Sequence, residues 1–435
     1  MPVNNDMTLV LSERDQAQFD GAEGEALQFA MNVVVRAGEV MDAPYLIDAS
    51  FVHVDACHYY GLAHVDFAQH LVERGAKFSI PAWTNTLPVN LSGPDIRDDE
   101  DKQFKIQSRR LAQLYLQLGA KPVWTCAPYQ LPNGPVFGDH IVGSESNAVA
   151  YYNSAVGART NKYGDFLDVC AGLVGRVPYA GLHTDLGRSG TVLLTLSGIP
   201  HTMLKEDIFH HILGYLMGLQ VGSGVPVIEG LCADTTKDQL KALSAAGAAS
   251  GGIGLFHAVG VTPEAPTTQA AFQGRDPQRT IAVTPAMIAV ARDALSTTRP
   301  GPLNMVAVGT PHFSFSEFEK LTALMVGRKV DANVAFYVST SRHVYELSRA
   351  EGWIDTLGGA GVQVVVDTCT YFHPAVRKCR GRVMTNSAKW AYYAPGMLAV
   401  EVAFGSLREC AESAVRGEVW RDPTLWRESV WEAGR

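Results

Sequence analysis

Seven cysteines in 435 residues are few, odd in number and scattered, so they read as reduced thiols or metal ligands rather than a disulfide framework. Four of them share one kind of position. Cys57 follows the apolar run 51–55, Cys126 follows 122–125, Cys232 follows 225–229 and Cys369 follows 362–367. Each run has the length and composition of a strand. In open parallel sheets ligands collect beyond the carboxyl ends of the strands, so thiols remote in sequence can meet there without a local CxxC pair. Thiolates are soft donors that suit iron-sulfur clusters or zinc. The opposing reading is ordinary: an isolated cysteine is usually a small buried apolar residue. Cys170, Cys379 and Cys410 are read that way.

A second set of residues could hold an acid. If segment 143–161 is helical from Glu145, its first turn presents Glu145, Ser146 and Asn147 beside free backbone N–H groups, an arrangement that binds anions. Asn153 and Arg159 follow, and a guanidinium takes a carboxylate bidentately. A plain capped helix with a solvated arginine has the same sequence. His183 and His257 end expected strands and His312 follows Gly-Thr-Pro; any one of them alone fits a satisfied structural histidine as well as a base or ligand. Lys389 precedes an aromatic run and could meet a carboxylate, or lie on the surface. No GxGxxG, Walker A, HExxH or GxSxG pattern is present, which weighs against dinucleotide, nucleotide, zinc-protease and esterase chemistry.

The elements that must place these groups alternate. Apolar runs at 45–55, 77–80, 122–125, 179–183, 191–196, 225–229, 252–257, 280–283, 304–308, 334–338, 362–367 and 397–402 read as strands. Helical stretches lie near 64–74, 99–118, 145–157, 204–219, 237–247, 285–295, 316–326, 341–350 and 407–415. This rhythm predicts an α/β fold with mainly parallel sheets. Ser314 with Glu317 forms a capping box, Thr235 with Asp238 a weaker one, and Pro285 suits a first helical turn. The Pro-rich loop 262–279 is taken to divide residues 1–262 from 263–435. Net charge is -8 with no long basic run, which argues against nucleic acid. No stretch is long and apolar enough to span a membrane, and residues 1–15 lack a signal-peptide pattern, so a cytoplasmic protein is expected. A charged fraction of 18% is low for a hyperthermophile.

Six segments, in order, resemble the aconitase X family. They are Trp124-Thr-Cys-Ala-Pro-Tyr-Gln130, Ser144-Glu-Ser-Asn-Ala-Val149 with Gly157-Ala-Arg-Thr-Asn161, Gly254-Leu-Phe-His-Ala-Val-Gly-Val-Thr-Pro-Glu264, Gly309-Thr-Pro-His312, Val366-Asp-Thr-Cys369 and Met384-Thr-Asn-Ser-Ala-Lys389. The resemblance covers roughly residues 45 to 410. It implies an aconitase-like multi-layer α/β/α core, an iron-sulfur cluster or iron, and a small swivelling domain. Cys126 and Cys369 lie in matching motifs and become expected ligands. Cys232 is chosen as the third from its place after a strand, with Cys57 in reserve. His183, Glu145 and Lys389 are expected in catalysis; Ser146, Asn147, Asn153, Arg159, Thr86 and His64 are expected substrate contacts. The family's small domain carries a Gly-Arg-Gly-Ser-Ser type loop with the catalytic serine. Gly187-Arg-Ser-Gly190 and Gly222-Ser-Gly224 are poor substitutes, so that domain is expected on a separate small subunit.

The activity implied is removal of water from a hydroxy acid. Hydroxide leaves poorly without a Lewis acid, and an α-proton needs a positioned base while the carboxylate is held. The favoured substrate is cis-3-hydroxy-L-proline, giving Δ1-pyrroline-2-carboxylate. Mevalonate 5-phosphate is the alternative, disfavoured because that activity belongs mainly to archaea and no phosphate-binding run of Arg, Lys or Gly stands out. A non-catalytic iron-sulfur redox or sensor protein, and a structural zinc protein, are the readings from other classes.

Overall fold

The computed structural model describes residues 9–91, 102–298, 300–371, 379 and 381–425. Three parallel sheets follow one another along the chain. The first has the order Ala82–Thr84, Val52–Val54, Val142–Gly143. Beside it, Leu46–Asp48 pairs antiparallel with Arg176–Pro178. The second has four strands: His257–Ala258, Pro226–Glu229, Val192–Thr195 and Arg279–Ala282. The third has five: Val362–Val366, Ala335–Thr340, Met305–Phe313, Arg382–Thr385 and Glu401–Phe404. The α/β class with mainly parallel sheets is what the alternating runs imply. Met305–Phe313 is buried along its whole length, as a central parallel strand covered on both faces must be.

Local chemistry sets the helix starts. Ser314 and Glu317 form the expected capping box at Phe315–Met325, and Thr284 with Pro285 opens Pro285–Ala294. At Lys237–Gly251 the box is Thr236 with Gln239, one residue later than expected, which frees Asp238 for an ion pair. That helix lies against Asp207–Val221 at glycine-to-glycine range: a Cβ on Gly218 would stand 2.8 Å from the Gly247 carbonyl oxygen. Only residues without side chains allow this approach.

Several expected strands fall elsewhere. Segment 77–80 is not a strand; the strand is the adjacent Ala82–Thr84. Segment 122–125 makes only an isolated bridge through Lys121 to Trp83 before turning at Trp124, whose φ is +43°. His183 sits in a short 3-10 turn, not at a strand end. Among the described residues, four helices of eight or more residues escaped the periodicity reading: Glu25–Val40, Leu167–Val174, Trp353–Ala360 and Ala388–Leu398, the last with Pro395 inside it. The loop 262–279 runs between strands of a single sheet, His257–Ala258 and Arg279–Ala282. Residues 1–8, part of the segment read for a leader, and 99–101 of the expected helix 99–118 lie outside the described residues. Among the described residues no helix is long and apolar enough to cross a membrane.

Candidate functional site

Two Thr-Cys dipeptides meet where the first sheet faces the third. Each follows a residue with left-handed backbone: Trp124 at φ +43° precedes Thr125-Cys126, and Asp367 at φ +70° precedes Thr368-Cys369. Such a conformation is costly for a residue with a side chain and persists where neighbours enforce it. The Trp124 N–H donates to Thr84 Oγ1 at 3.1 Å. Asp367 takes a bidentate Arg342 guanidinium at 2.6 and 2.9 Å. The turns bring Cys126 Sγ to 3.6 Å from Cys369 Sγ, both thiols buried.

Two thiolates on one tetrahedral ion, with metal–sulfur bonds of about 2.3 Å, lie about 3.8 Å apart, so the pair fits a thiophilic metal or a cluster iron. Without one, the Cys369 thiol is pushed well above its usual range by the Cys126 sulfur and by burial. Among the described residues, Cys126, His312 and Cys369 are the group of three metal-ligating side chains within 4.8 Å of one another.

Around the thiols stand acid and amine. Glu145 caps its own helix, Ser146–Tyr151, accepting from the Ala148 N–H and from Asn147 Nδ2, each at 2.7 Å. Its other oxygen pairs with the Lys389 ammonium, buried like the carboxylate. Burial works against the Glu145 carboxylate, but Lys389 and the cap bonds hold its pKa below the ordinary value. Burial likewise opposes the Lys389 charge, and Glu145 outweighs it, raising that pKa well above the usual range. Exposed Tyr60 lies within electrostatic reach of the carboxyls of Asp55 and Asp165, the Lys389 ammonium and the Cys369 thiol. Burial and the neighbouring carboxylates push Asp55 up to about 8, despite its bond from Asn85. Asp55 was missed in the sequence, although Val52–Val54 delivers it at a strand end beside Cys57.

The expected residues divide. Glu145, Asn147, Lys389, Cys126 and Cys369 converge. Asn147 positions protein groups: it donates to the Cys126 carbonyl at 2.6 Å and accepts from Tyr129 OH at 2.7 Å. Ser146 is half-buried in the first turn, where the Glu145 side chain takes the Ala148 N–H. Thr86 is buried, its carbonyl accepting from His58 Nδ1, and His64 pairs with Asp165 at 3.3 Å.

Arg159, Asn153 and His183 lie in a different network. His183 has both ring nitrogens engaged, with His140 at 2.9 Å and Tyr163 OH at 2.7 Å. Burial, His140 and two arginines lower its pKa to about 3, which unfits it as a base. Asn153 is saturated by Thr160, Gly254 and Arg188. Arg159 pairs with Asp185 at 2.6 Å. Cys232 is also elsewhere: it belongs to the second sheet's loops, 3.7 Å from His201 Nε2, whereas the facing thiols come from the first and third. Cys57 is buried against the carbonyls of Val54 and Asn85.

Comparisons with known proteins match this geometry from end to end. Profiles described as the first, second and third domains of aconitase X match residues 8–186, 190–293 and 303–416. Cis-3-hydroxy-L-proline dehydratase of Pseudomonas aeruginosa is 40% identical over 93% of this chain and 69% of its own length. The protein of that name from Hypocrea jecorina is 37% identical, over 94% and 69%. The phosphomevalonate dehydratase large subunit of Methanocaldococcus jannaschii is 32% identical, over 92% and 99%. The crystal structure of holo-form aconitase X from Thermococcus kodakaraensis superposes with a TM-score of 0.83 at 29% identity, covering 93% of this chain and all of that one. With three domain profiles in sequence and relatives named as dehydratases matched along nearly its whole described length, the chain belongs to the aconitase X family.

Proposed function

We propose that this chain is the large part of a dehydratase that converts cis-3-hydroxy-L-proline to Δ1-pyrroline-2-carboxylate. The facing thiols of Cys126 and Cys369 beside the buried Lys389–Glu145 pair carry the reading. The identity of 40% and 37% to dehydratases of that name, against 32% to the archaeal large subunit, favours this substrate.

Cys126 and Cys369 would hold an iron-sulfur cluster or iron. When bound, it supplies a Lewis acid for the departing hydroxyl. Lys389 makes one ion pair among the described residues and has N–H donors left for a substrate carboxylate. Glu145 keeps that ammonium charged and fixed. Burial and neighbouring carboxylates raise Asp55 to about 8, and it lies within electrostatic reach of Tyr60, as Lys389 does. In the substrate the hydroxyl and carboxylate share a ring face, so the α-hydrogen lies opposite the hydroxyl and elimination is anti. The C–H electrons form the C=C bond, the C–O bond breaks, and hydroxide with a proton leaves as water. The resulting enamine tautomerises to the cyclic imine.

The base on the far face is assigned to a serine of a small subunit. The chain covers 99% of the archaeal large subunit and 69% of the Pseudomonas relative, which supports a partner or further segment completing the site. Coverage of the archaeal large subunit also favours mevalonate 5-phosphate as the second substrate to test. Incubating the complete enzyme with each compound and following pyrroline or the phosphorylated alkene decides between them. Turnover of the phosphate compound alone overturns the proposal.

A further inference from the structure

His312 is the third member of the ligand-like group, and its hydrogen bonds say what it does. Nε2 lies 3.0 Å from the Thr368 carbonyl oxygen. A carbonyl only accepts, so Nε2 carries the proton. Nδ1 lies 2.9 Å from the Thr125 hydroxyl and is engaged by it whether it accepts or donates. Neither nitrogen has a lone pair free for a metal. The two partners are the residues directly before Cys126 and Cys369. The His312 N–H points at Cys126 Sγ, 3.4 Å away. Its carbonyl receives Gln130 Nε2 at 3.0 Å and Lys241 Nζ at 3.4 Å. Every polar atom of the residue is thus engaged, and the partners span the first, second and third family domains.

We propose that His312 is a positioning residue that ties the two Thr-Cys turns together and sets the thiol spacing, not a metal ligand. This rests on reading Cys126 and Cys369 as a metal site. It leaves Cys126 and Cys369 as the sulfur ligands of this group among the described residues, with the remaining positions on the metal open to sulfide, substrate or another side chain.

The test uses the full chain, anaerobic, as wild type, H312A and H312Q, with ¹⁵N-labelled histidine and zinc as probe. Two readouts are taken: the ¹⁵N signals of His312 with and without zinc, and the rate at which diamide forms the Cys126–Cys369 disulfide in metal-free chain. His312 is expected to keep a protonated Nε2 and an uncoordinated Nδ1 after zinc binds. H312A is expected to slow disulfide formation about tenfold, the scale of one or two lost hydrogen bonds, and H312Q, whose amide can reach the Thr368 carbonyl, to recover part of it. A His312 nitrogen shifting to the metal-bound range, or wild-type cross-linking in H312A, overturns the proposal. Should H312A not fold by circular dichroism, T125V removes one end of the tie; an unchanged rate there overturns it too. If the wild-type chain takes up no zinc while the cross-linking difference holds, the metal reading fails and the tie stands. If zinc binds through both cysteines while H312A cross-links normally, the reverse is true.

Discussion

Among the described residues two lysines are buried, Lys241 and Lys389, and they are surrounded differently. Lys241 has three acceptors for its three N–H bonds: Asp238 at 3.1 Å, Glu317, and the His312 carbonyl at 3.4 Å. Lys389 has Glu145 alone among the described residues. A saturated buried ammonium is a structural joint, here tying Lys237–Gly251 to Phe315–Met325. A buried ammonium with donors to spare is an unfinished arrangement that a ligand completes. Burial and pairing alone do not separate the two lysines; the number of acceptors around each ammonium does.

The comparison is broken or sharpened by four measurements. Lys241→Met leaves two partly buried carboxylates without their cation and is expected to lower the unfolding free energy by about 3 kcal/mol in urea titration, with turnover per folded molecule changed less than in Lys389→Met. Lys389→Met is expected to lower kcat/KM for hydroxyproline by about 10²–10³-fold in the complete enzyme, the scale of a lost preorganised donor. Equal losses of activity in both variants would erase the distinction. Saturating substrate, at about 100 times its Kd, should stabilise the wild type by about 2.7 kcal/mol and Lys241→Met equally, but not Lys389→Met, read as a shift in urea midpoint.

The smallest effect is one of pH. With two carboxylates around one ammonium, Asp238 falls to about 2, while burial and Asp238 raise Glu317 to about 7. A carboxyl with a raised folded pKa binds its proton more tightly when folded. Its contribution to stability is therefore fullest below its ordinary value of 4.5 and declines as pH rises toward 7. Glu317→Gln should flatten stability between those pH values; an unchanged slope refutes the assignment.

Sequence showed the layered α/β class because alternating apolar runs and helical stretches are local signals. It singled out Cys126, Cys369, Glu145 and Lys389, which the fold brings together, because they sit in motifs at element ends. It misled where the decisive fact was a neighbour. Cys232 also follows a strand, but in another sheet. His183 and Asn153 carry suitable atoms, all taken by residues remote in the chain. His312 read as an ordinary histidine because its role lies in Thr125 and Thr368, which are 187 and 56 residues away. Asp55 passed unnoticed because a carboxyl's shift comes from surroundings, not from its own residue type.

The sulfurs that face each other are separated by 243 positions along the chain. During synthesis Cys126 leaves the ribosome long before Cys369 exists, and an early-captured metal would have only half its protein grip. A metal held by both sulfurs would load only after the segments carrying them have met. On the proposed reading of an iron site, iron starvation should therefore yield chains that are folded yet empty, a pool that can be charged afterwards without unfolding.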